Sequence, residues 1–269
     1  MLRRNSGGRA LHIGEGTVGV LLALPEMGAL LSQPLAPSKV LNRYVRGLLA
    51  GLTRAGAPEG AHYFGRDFVS ARGQQLAVIG QDNGTRAAIF EALIALDRPL
   101  ELDAGLNAYL PHLDPRVAGP PHSTLSALAG MPITCDALAE AIAAGYAEVH
   151  SAQLERVDLP SVSAELEPPV DEHEEGFSDS GVADIPIGFA EALVQHDGER
   201  VQRARLRGDF IAPSFVMREL ERALEGCPLT LDAVGQRVDQ AFHQPGACIH
   251  GLRELRVLAE AVLAAAGKL

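Results

Sequence analysis

Arg3-Arg4-Asn5-Ser6-Gly7-Gly8-Arg9-Ala10-Leu11-His12 lies at the start of this 269-residue chain, and its reading decides which fold the rest must build. Paired glycines let the backbone come close to a ligand, exposed N–H groups there favour an anion, and arginines grip carboxylate or phosphate in a bidentate way. The segment therefore has the composition of an anion cradle. A hairpin turn with solvated charges has the same composition, and the residues alone leave both readings open. Working outward, Ala10 to Ile13 reads as a short strand, Gly14-Glu15-Gly16 as a turn, and Thr17 to Leu24 as a second, largely buried strand, so a hairpin is expected.

After Pro34 and Pro37, Ser38 is placed to cap a helix in which Val40, Leu41, Tyr44, Val45, Leu48, Leu49 and Leu52 recur at helical spacing, ending near Gly56. His62 to Val69 and Gln75 to Gly80 read as strands joined by Ala71-Arg72-Gly73-Gln74, and Ala87 to Leu96 as a further strand. Ser123 to Leu128 and Cys135 to Leu154 carry helical periodicity, the second capped by Thr134 with Leu138, Ile142, Tyr146 and Val149 on one face. From 155 to 184 the composition turns to Pro, Ser, Glu and Asp, as in a solvated linker. Strands at Phe189 to His196 and Val201 to Leu206 follow, then helices at Ser214 to Glu225, Thr230 to Phe242 and Leu252 to Ala265. The expected fold class is α+β: a mixed, mostly antiparallel sheet with packed helices over 1–154, an acidic linker over 155–184, and a small α+β domain over 185–269.

Apolar residues make up 47% of the chain and charged residues 21%, the mix of an ordinary globular protein. The net charge of −11 repels phosphate on average, which argues against non-specific nucleic-acid binding. Cys135, Cys227 and Cys248 form no CxxC pair and suit a reducing compartment, so the chain is expected to be cytoplasmic. Its best apolar run, Val18 to Leu24, stops at Pro25-Glu26, too short for a membrane span. Cys135, at the start of an apolar helix, is expected to pack rather than react. The nine histidines make no HxxxH or HExxH pair, and no metal site is expected. Lys39 and Lys268 are the only lysines.

The opening segment resembles the Arg-Arg-x-Ser/Thr-Gly-Gly-Gly/Arg-x-Val motif of lipoate-protein ligases and octanoyltransferases, in the superfamily that includes biotin-protein ligases. Arg3, Arg4, Ser6, Gly7, Gly8 and Arg9 fit the pattern, while His12 falls one residue early, and in a strand that shift reverses the face. Tyr63-Phe64-Gly65-Arg66-Asp67 and Gln75 to Gly80 are similar to the Gly-Arg-Asn-Asp strand and the Lys-Ile/Val-x-Gly hairpin that follow. Gly208-Asp209-Phe210-Ile211 and the helices after it resemble the accessory domain of the ligases.

The resemblance implies an acyl and adenylate site using Arg3, Arg4, Ser6, Gly7, Gly8, Arg9, Arg66, Asp67 and Gly80. It implies lipoate or octanoate as ligand, ATP and magnesium as co-substrates, and a lysine of an acceptor domain as destination through an acyl-adenylate. Gln75 stands near the place where the family has its catalytic lysine. A neutral amide cannot follow charge moving between two oxyanions, so that exchange should cost several kcal/mol of transition-state stabilisation. Arg66 or Arg72 could stand in. A non-catalytic acyl-binding or interaction relative is therefore the alternative to an enzyme. The family's motif also follows several dozen residues that supply an initial helix and the first strands, which a chain beginning at Met1 lacks. Met1 is then either an internal methionine or the start of a shortened relative. Without those strands the sheet is expected to expose an edge, and in that case the chain to form a homo-oligomer.

Overall fold

The structure is a computed structural model, and it describes residues 7–8, 11–32, 34–84, 87–102, 120–157 and 177–269. A four-stranded antiparallel sheet has the order β2 (Thr17–Leu24), β5 (Ala88–Ala95), β4 (Gln74–Asn83), β3 (Phe68–Ala71). The register runs Thr17 to Ala95 through Leu24 to Ala88 on one side of β5, and Ala77 to Ile94 through Asn83 to Ala88 on the other. Helices α1 (Val40–Arg54) and α3 (Cys135–His150) cover one face. Val40, Leu41, Tyr44, Leu48 and Leu52 of α1 meet Ala77, Ile79, Phe90 and Ile94 there, as the helical and strand periodicities require, and Leu76 joins them where the β3–β4 register shifts. Val78, Leu93, Ala95 and Leu100 make a smaller cluster with Leu11 on the opposite face.

The expected hairpin does not form. The Gly14 carbonyl does accept from the Thr17 N–H at 3.0 Å, so the turn exists. However, β1 (Leu11–His12) pairs with β6 (Glu101–Leu102), while β2 pairs with β5. The Gly16 carbonyl accepts from the N–H groups of Leu96 and Asp97 at 3.0 and 3.1 Å, which seats the turn on the end of β5. Val18, Val20 and Leu22 then add to the main core, whereas Leu11 joins the cluster on the far side.

Other expectations shift by a few residues for identifiable reasons. Ser38 is not the cap of α1: Pro37–Lys39 form a 3₁₀ turn, with the Lys39 N–H donating to the Ala36 carbonyl at 2.8 Å, and Lys39 occupies the cap position. Proline at the first position of that turn starts it earlier. Most of His62 to Asp67 is loop, pinned where His62 and Ser70 exchange backbone hydrogen bonds of 2.7 and 3.0 Å. The helix α2 (Leu125–Ala129) is capped by Thr124, and Thr134 caps α3 as expected, its side chain accepting from the Ala137 N–H. Leu138, Ile142 and Tyr146 are buried, but Val149 is exposed near the end of α3.

Helices α1 and α3 touch through glycine. A Cβ placed at Gly145 would lie 2.4 Å from the Gly51 nitrogen and 2.5 Å from the Gly47 oxygen, so the two backbones meet directly.

Residues 179–184, read as linker, form strand β7 (Asp179–Ile185), whose inward residues Gly181, Ala183 and Ile185 alternate with exposed ones. It pairs with β8 (Gly188–His196), which pairs with β9 (Val201–Gly208), all antiparallel. The helices α4 (Ser214–Leu224), α5 (Leu231–Phe242) and α6 (Arg256–Ala265) accompany this sheet around a second core containing Ala192, Val194, Leu206, Val216, Leu220 and Leu258.

A valine at Gly145 should force α1 and α3 apart and destabilise the chain by about 3 kcal/mol. Urea unfolding followed by circular dichroism measures this, and an unchanged midpoint would contradict the packing described.

Candidate functional site

The second strand pair ends in the sequence Gly208-Asp209-Phe210-Ile211, and each residue has a distinct physical task. The Asp209 carboxylate accepts from the Phe189 N–H at 3.2 Å, and its own N–H donates to the Phe189 carbonyl at 2.9 Å. This closes the turn before β8 over Gly188, where φ is +149° and a Cβ would lie 1.7 Å from the Asp209 carboxylate. Pro186 and Ile187 are thereby presented to the first unit. Phe210 packs into the second core and Ile211, the next residue, into the first. Ile211 also exchanges backbone hydrogen bonds of 3.1 and 2.9 Å with His250.

Between the units lies a cleft of about 250 Å³. From the first unit it is lined by Leu41 of α1 and by Tyr63, Gly65, Arg66 and Asp67 of the loop before β3. From the second come Pro186, Ile187, Ile211 and the run His250-Gly251-Leu252-Arg253. The walls are largely aliphatic, with two arginines, one carboxylate and one imidazole. That is the make-up of a small-molecule site, an apolar body with a few polar groups that fix orientation.

Asp67 is buried, its carbonyl accepting from the Ile79 N–H at 2.8 Å, and the Arg66 Nε lies 3.9 Å from its carboxylate. The Arg66 guanidinium also stands over the Phe68 ring at 5.5 Å. Burial, and then the Asp67 charge, push the Tyr63 hydroxyl up to about 12, so it stays protonated.

At the end of β4, Gln81, Asp82 and Asn83 face the second unit. Asp82 accepts from the Ser214 N–H at 2.8 Å and from its hydroxyl at 2.6 Å, neutralising the N-terminus of α4 from the other unit. The Gln81 Nε2 lies 3.4 Å from both the Cys248 Sγ and the His250 Nε2, and the Asn83 Nδ2 lies 3.8 Å from Cys248. Burial raises the Cys248 thiol to about 11 and lowers His250. Cys248 is thus a neutral thiol at physiological pH rather than a nucleophile.

Of the residues singled out by sequence, Arg66 and Asp67 line this cleft, while Gly7 and Gly8 are not in its lining and lie against Phe210 and Ile211. Gly8 donates its N–H to the Phe210 carbonyl at 3.3 Å, and a Cβ at Gly7 would sit 3.1 Å from the same oxygen. The glycine pair therefore lies against the Asp209-Phe210-Ile211 strand end, and the Gly8 N–H is spent there rather than offered to an anion. Arg3, Arg4, Ser6 and Arg9 lie outside the described residues. His12 is exposed on β1. Gly80 sits within β4 opposite Glu91 and does not line the cleft.

Gln75 is 1% exposed, and its side chain donates to the Pro120 carbonyl at 2.8 Å. Its main chain bonds Pro121 and Ser123 at 2.8 and 2.9 Å. It fastens the segment before α2 to β4 and is absent from the cleft lining. Arg72, at the β3–β4 turn, pairs with exposed Glu59 at 3.4 Å on the surface. Lys39 begins α1. Arg66 is the cation that the first unit brings to the cleft among the described residues. Cys135, expected to pack, is exposed on the first turn of α3. Among the described residues no cluster of three metal-ligating side chains occurs, and no helix is long and apolar enough to cross a membrane.

Sequence reasoning missed the run from Cys248 to Arg253, which bears no motif and precedes a helix by a few residues. A signal was present in Gln81-Asp82-Asn83: three polar residues continuing a strand as apolar as Leu76 to Ile79 mark a buried polar seam that some other segment must complete.

No family model matches this chain, and no curated protein matches it in sequence. Among solved structures, LipL1 of P. falciparum in complex with lipoate matches 88% of this chain and 70% of that one, with a TM-score of 0.56 and 11% identity. A bipartite lipoate protein ligase from Thermoplasma acidophilum, solved with its E2 lipoyl domain, matches 60% of this chain and 61% of its own at 12% identity and a TM-score of 0.43. Biotin protein ligase from Aquifex aeolicus matches 51% and 53% at 10% identity and 0.35. The chain has the α+β fold of the lipoate-complexed protein over 88% of its length.

His250 and His150 are both lowered by burial. Their folded forms bind a proton less readily than an unfolded histidine near 6.5, so the unfolded chain takes up more protons on acidification. The stability associated with neutral burial is full above 6.5 and is lost as pH falls through the lower folded value. Replacing His250 with asparagine should flatten the slope of stability against pH below 6.5, measured by thermal unfolding across that range. An unaltered slope would mean that His250 is not buried as a neutral ring. Separately, Asp82→Ala should destabilise the chain by about 1–2 kcal/mol through loss of the cap on α4.

Proposed function

We propose that this chain is a lipoate-ligase-like protein that binds a medium-chain acyl acid, lipoate or octanoate, in the cleft between its two units. The observation that carries the proposal is the composition of that cleft. Leu41, Ile187, Ile211 and Leu252 offer an aliphatic slot, and Arg66 and Arg253 offer cations for a carboxylate at its end. The fold shared with a lipoate-complexed protein supports the same ligand class.

In the ligase form of the proposal, ATP with magnesium supplies the activation of the acyl carboxylate, and a lysine of a lipoyl acceptor domain takes the acyl group. Arg66 then holds the carboxylate, Tyr63 donates a hydrogen bond, and the aliphatic wall excludes water. Magnesium would arrive with the nucleotide. Of the two carboxylates near the cleft, Asp82 is engaged by Ser214, and Asp67 is buried beside Arg66.

The second reading, an acyl-binding relative without ligase chemistry, is favoured by Gln75. Its amide is spent on the Pro120 carbonyl, and it brings no charge to the reacting groups.

Calorimetry with octanoate and lipoate tests the shared part. Binding should weaken about tenfold in Arg66→Ala, through loss of the charged hydrogen bond, and about tenfold in Leu252→Trp, through loss of volume. Pyrophosphate release with ATP, magnesium and the acid decides between the readings. Release supports the ligase, binding without release supports the non-catalytic relative, and absence of any acyl binding overturns both.

A further inference from the structure

His250 belongs to two parts of the structure at once. It lines the cleft beside Arg66 and Arg253, and its Nε2 lies 3.4 Å from the Gln81 Nε2 across the seam between the units. Gln81 is fully buried and is not in the cleft lining. The His250 backbone is fixed as well, by its paired hydrogen bonds with Ile211. Among the described residues no hydrogen-bond partner meets the His250 Nδ1.

A neutral imidazole carries one hydrogen, and the bond made by one ring nitrogen decides which of the two holds it. An amide nitrogen only donates, so the His250 Nε2 accepts from Gln81 and the ring hydrogen resides on Nδ1. The same amide nitrogen stands 3.4 Å from the Cys248 Sγ, so each of its two hydrogens has a group with a lone pair to face. Turning the amide over would point its oxygen at the ring and the sulfur. It would leave two N–H donors without partners where now one oxygen has none, and a buried N–H is the less tolerated orphan.

We infer that His250 is a binding residue of the cleft, donating from Nδ1 to the carboxylate of an acyl acid, and that Gln81 is its positioning residue, holding the ring in the donor tautomer. This rests on the acyl reading of the cleft. A carboxylate has about four lone-pair sites, so it accepts from Arg66 and Arg253 and still has room for another donor. A neutral N–H fills that place without burying a third cation, which would need a partner of its own. The opposite tautomer would turn a lone pair toward the carboxylate and repel it. Gln81 thus acts on a ligand it does not touch, through the placement of one hydrogen.

Nitrogen-15 NMR of the histidine rings in the full chain reads the tautomer directly, His250 being identified by the resonances missing from His250→Asn. Near neutral pH the wild-type ring should carry its hydrogen on Nδ1, and octanoate should move the Nδ1 resonance. Gln81→Leu should shift the ring toward the Nε2–H form and weaken octanoate binding about threefold by calorimetry, although residue 81 is not in the cleft lining. His250→Leu should weaken binding about tenfold, and His250→Asn, whose amide nitrogen is bonded to Cγ as Nδ1 is, should recover most of that loss. The wild-type spectrum decides the tautomer even if Gln81→Leu folds poorly. A wild-type ring in the Nε2–H form, or octanoate bound as tightly by His250→Leu as by the wild type, would overturn the inference and leave the acyl reading standing. A wild-type chain that binds no octanoate would overturn the acyl reading, and this inference with it.

Discussion

Phe210 and Ile211 are adjacent in sequence and belong to different cores. The ring of Phe210, 6% exposed, sits among the helices and strands of the second unit, and the side chain of Ile211, 1% exposed, sits in the first. In an extended backbone successive side chains point to opposite sides, so one short segment can anchor two hydrophobic clusters at once. Separating the units would expose Ile211 and break the two hydrogen bonds that Asp82 accepts from Ser214. Full burial of such a side chain is worth roughly 1.5–3 kcal/mol, and each hydrogen bond adds about 1 kcal/mol.

The cleft follows from that rivet. Asp209, closed over Gly188, fixes the turn that carries Ile187, and Ile211 fixes the strand that carries His250 to Arg253. The loop with Tyr63, Arg66 and Asp67 faces them because His62 and Ser70 close its base. The polar seam of Gln81, Asp82 and Asn83 completes the contact: Asp82 caps α4 across the boundary, and the two amides meet Cys248 and His250. The Gly-Asp-Phe segment thus has a mechanical reason to exist, independent of any ligand.

Much of the fold was legible in the sequence. The helical spacing in Val40 to Leu52, the Thr134 cap, the apolar runs of β4 and β5 and the second-unit order of strands and helices all appear where expected. These elements are read well because their signals are local. The hairpin failed because two strands beside a turn can each find a better partner elsewhere, and β2 matches β5 over eight residues. The linker reading failed at 179–184 because alternating small and acidic residues look solvated until a helix is packed on them: a Cβ at Gly181 would fall 2.0 Å from the Ala265 nitrogen. Arg66 and Asp67, singled out in the sequence, line the cleft, the glycine pair lies against Phe210 outside its lining, and Ile187 and the run from His250 to Arg253 carried no sequence signal that was read.

The sequence by itself determined most helices and the apolar strands β2, β4 and β5, which faces of the helices are apolar, and that the only lysines are Lys39 and Lys268, because periodicity, capping and composition act over a few residues. Tertiary structure alone decided that β1 and β2 join different sheets, that Gln75 is spent on the Pro120 carbonyl, and that Gly8 meets Phe210 rather than an open anion site. Those outcomes depend on contacts between residues dozens to hundreds of positions apart, where many partners satisfy the same local rule and the shape of the assembled core selects among them.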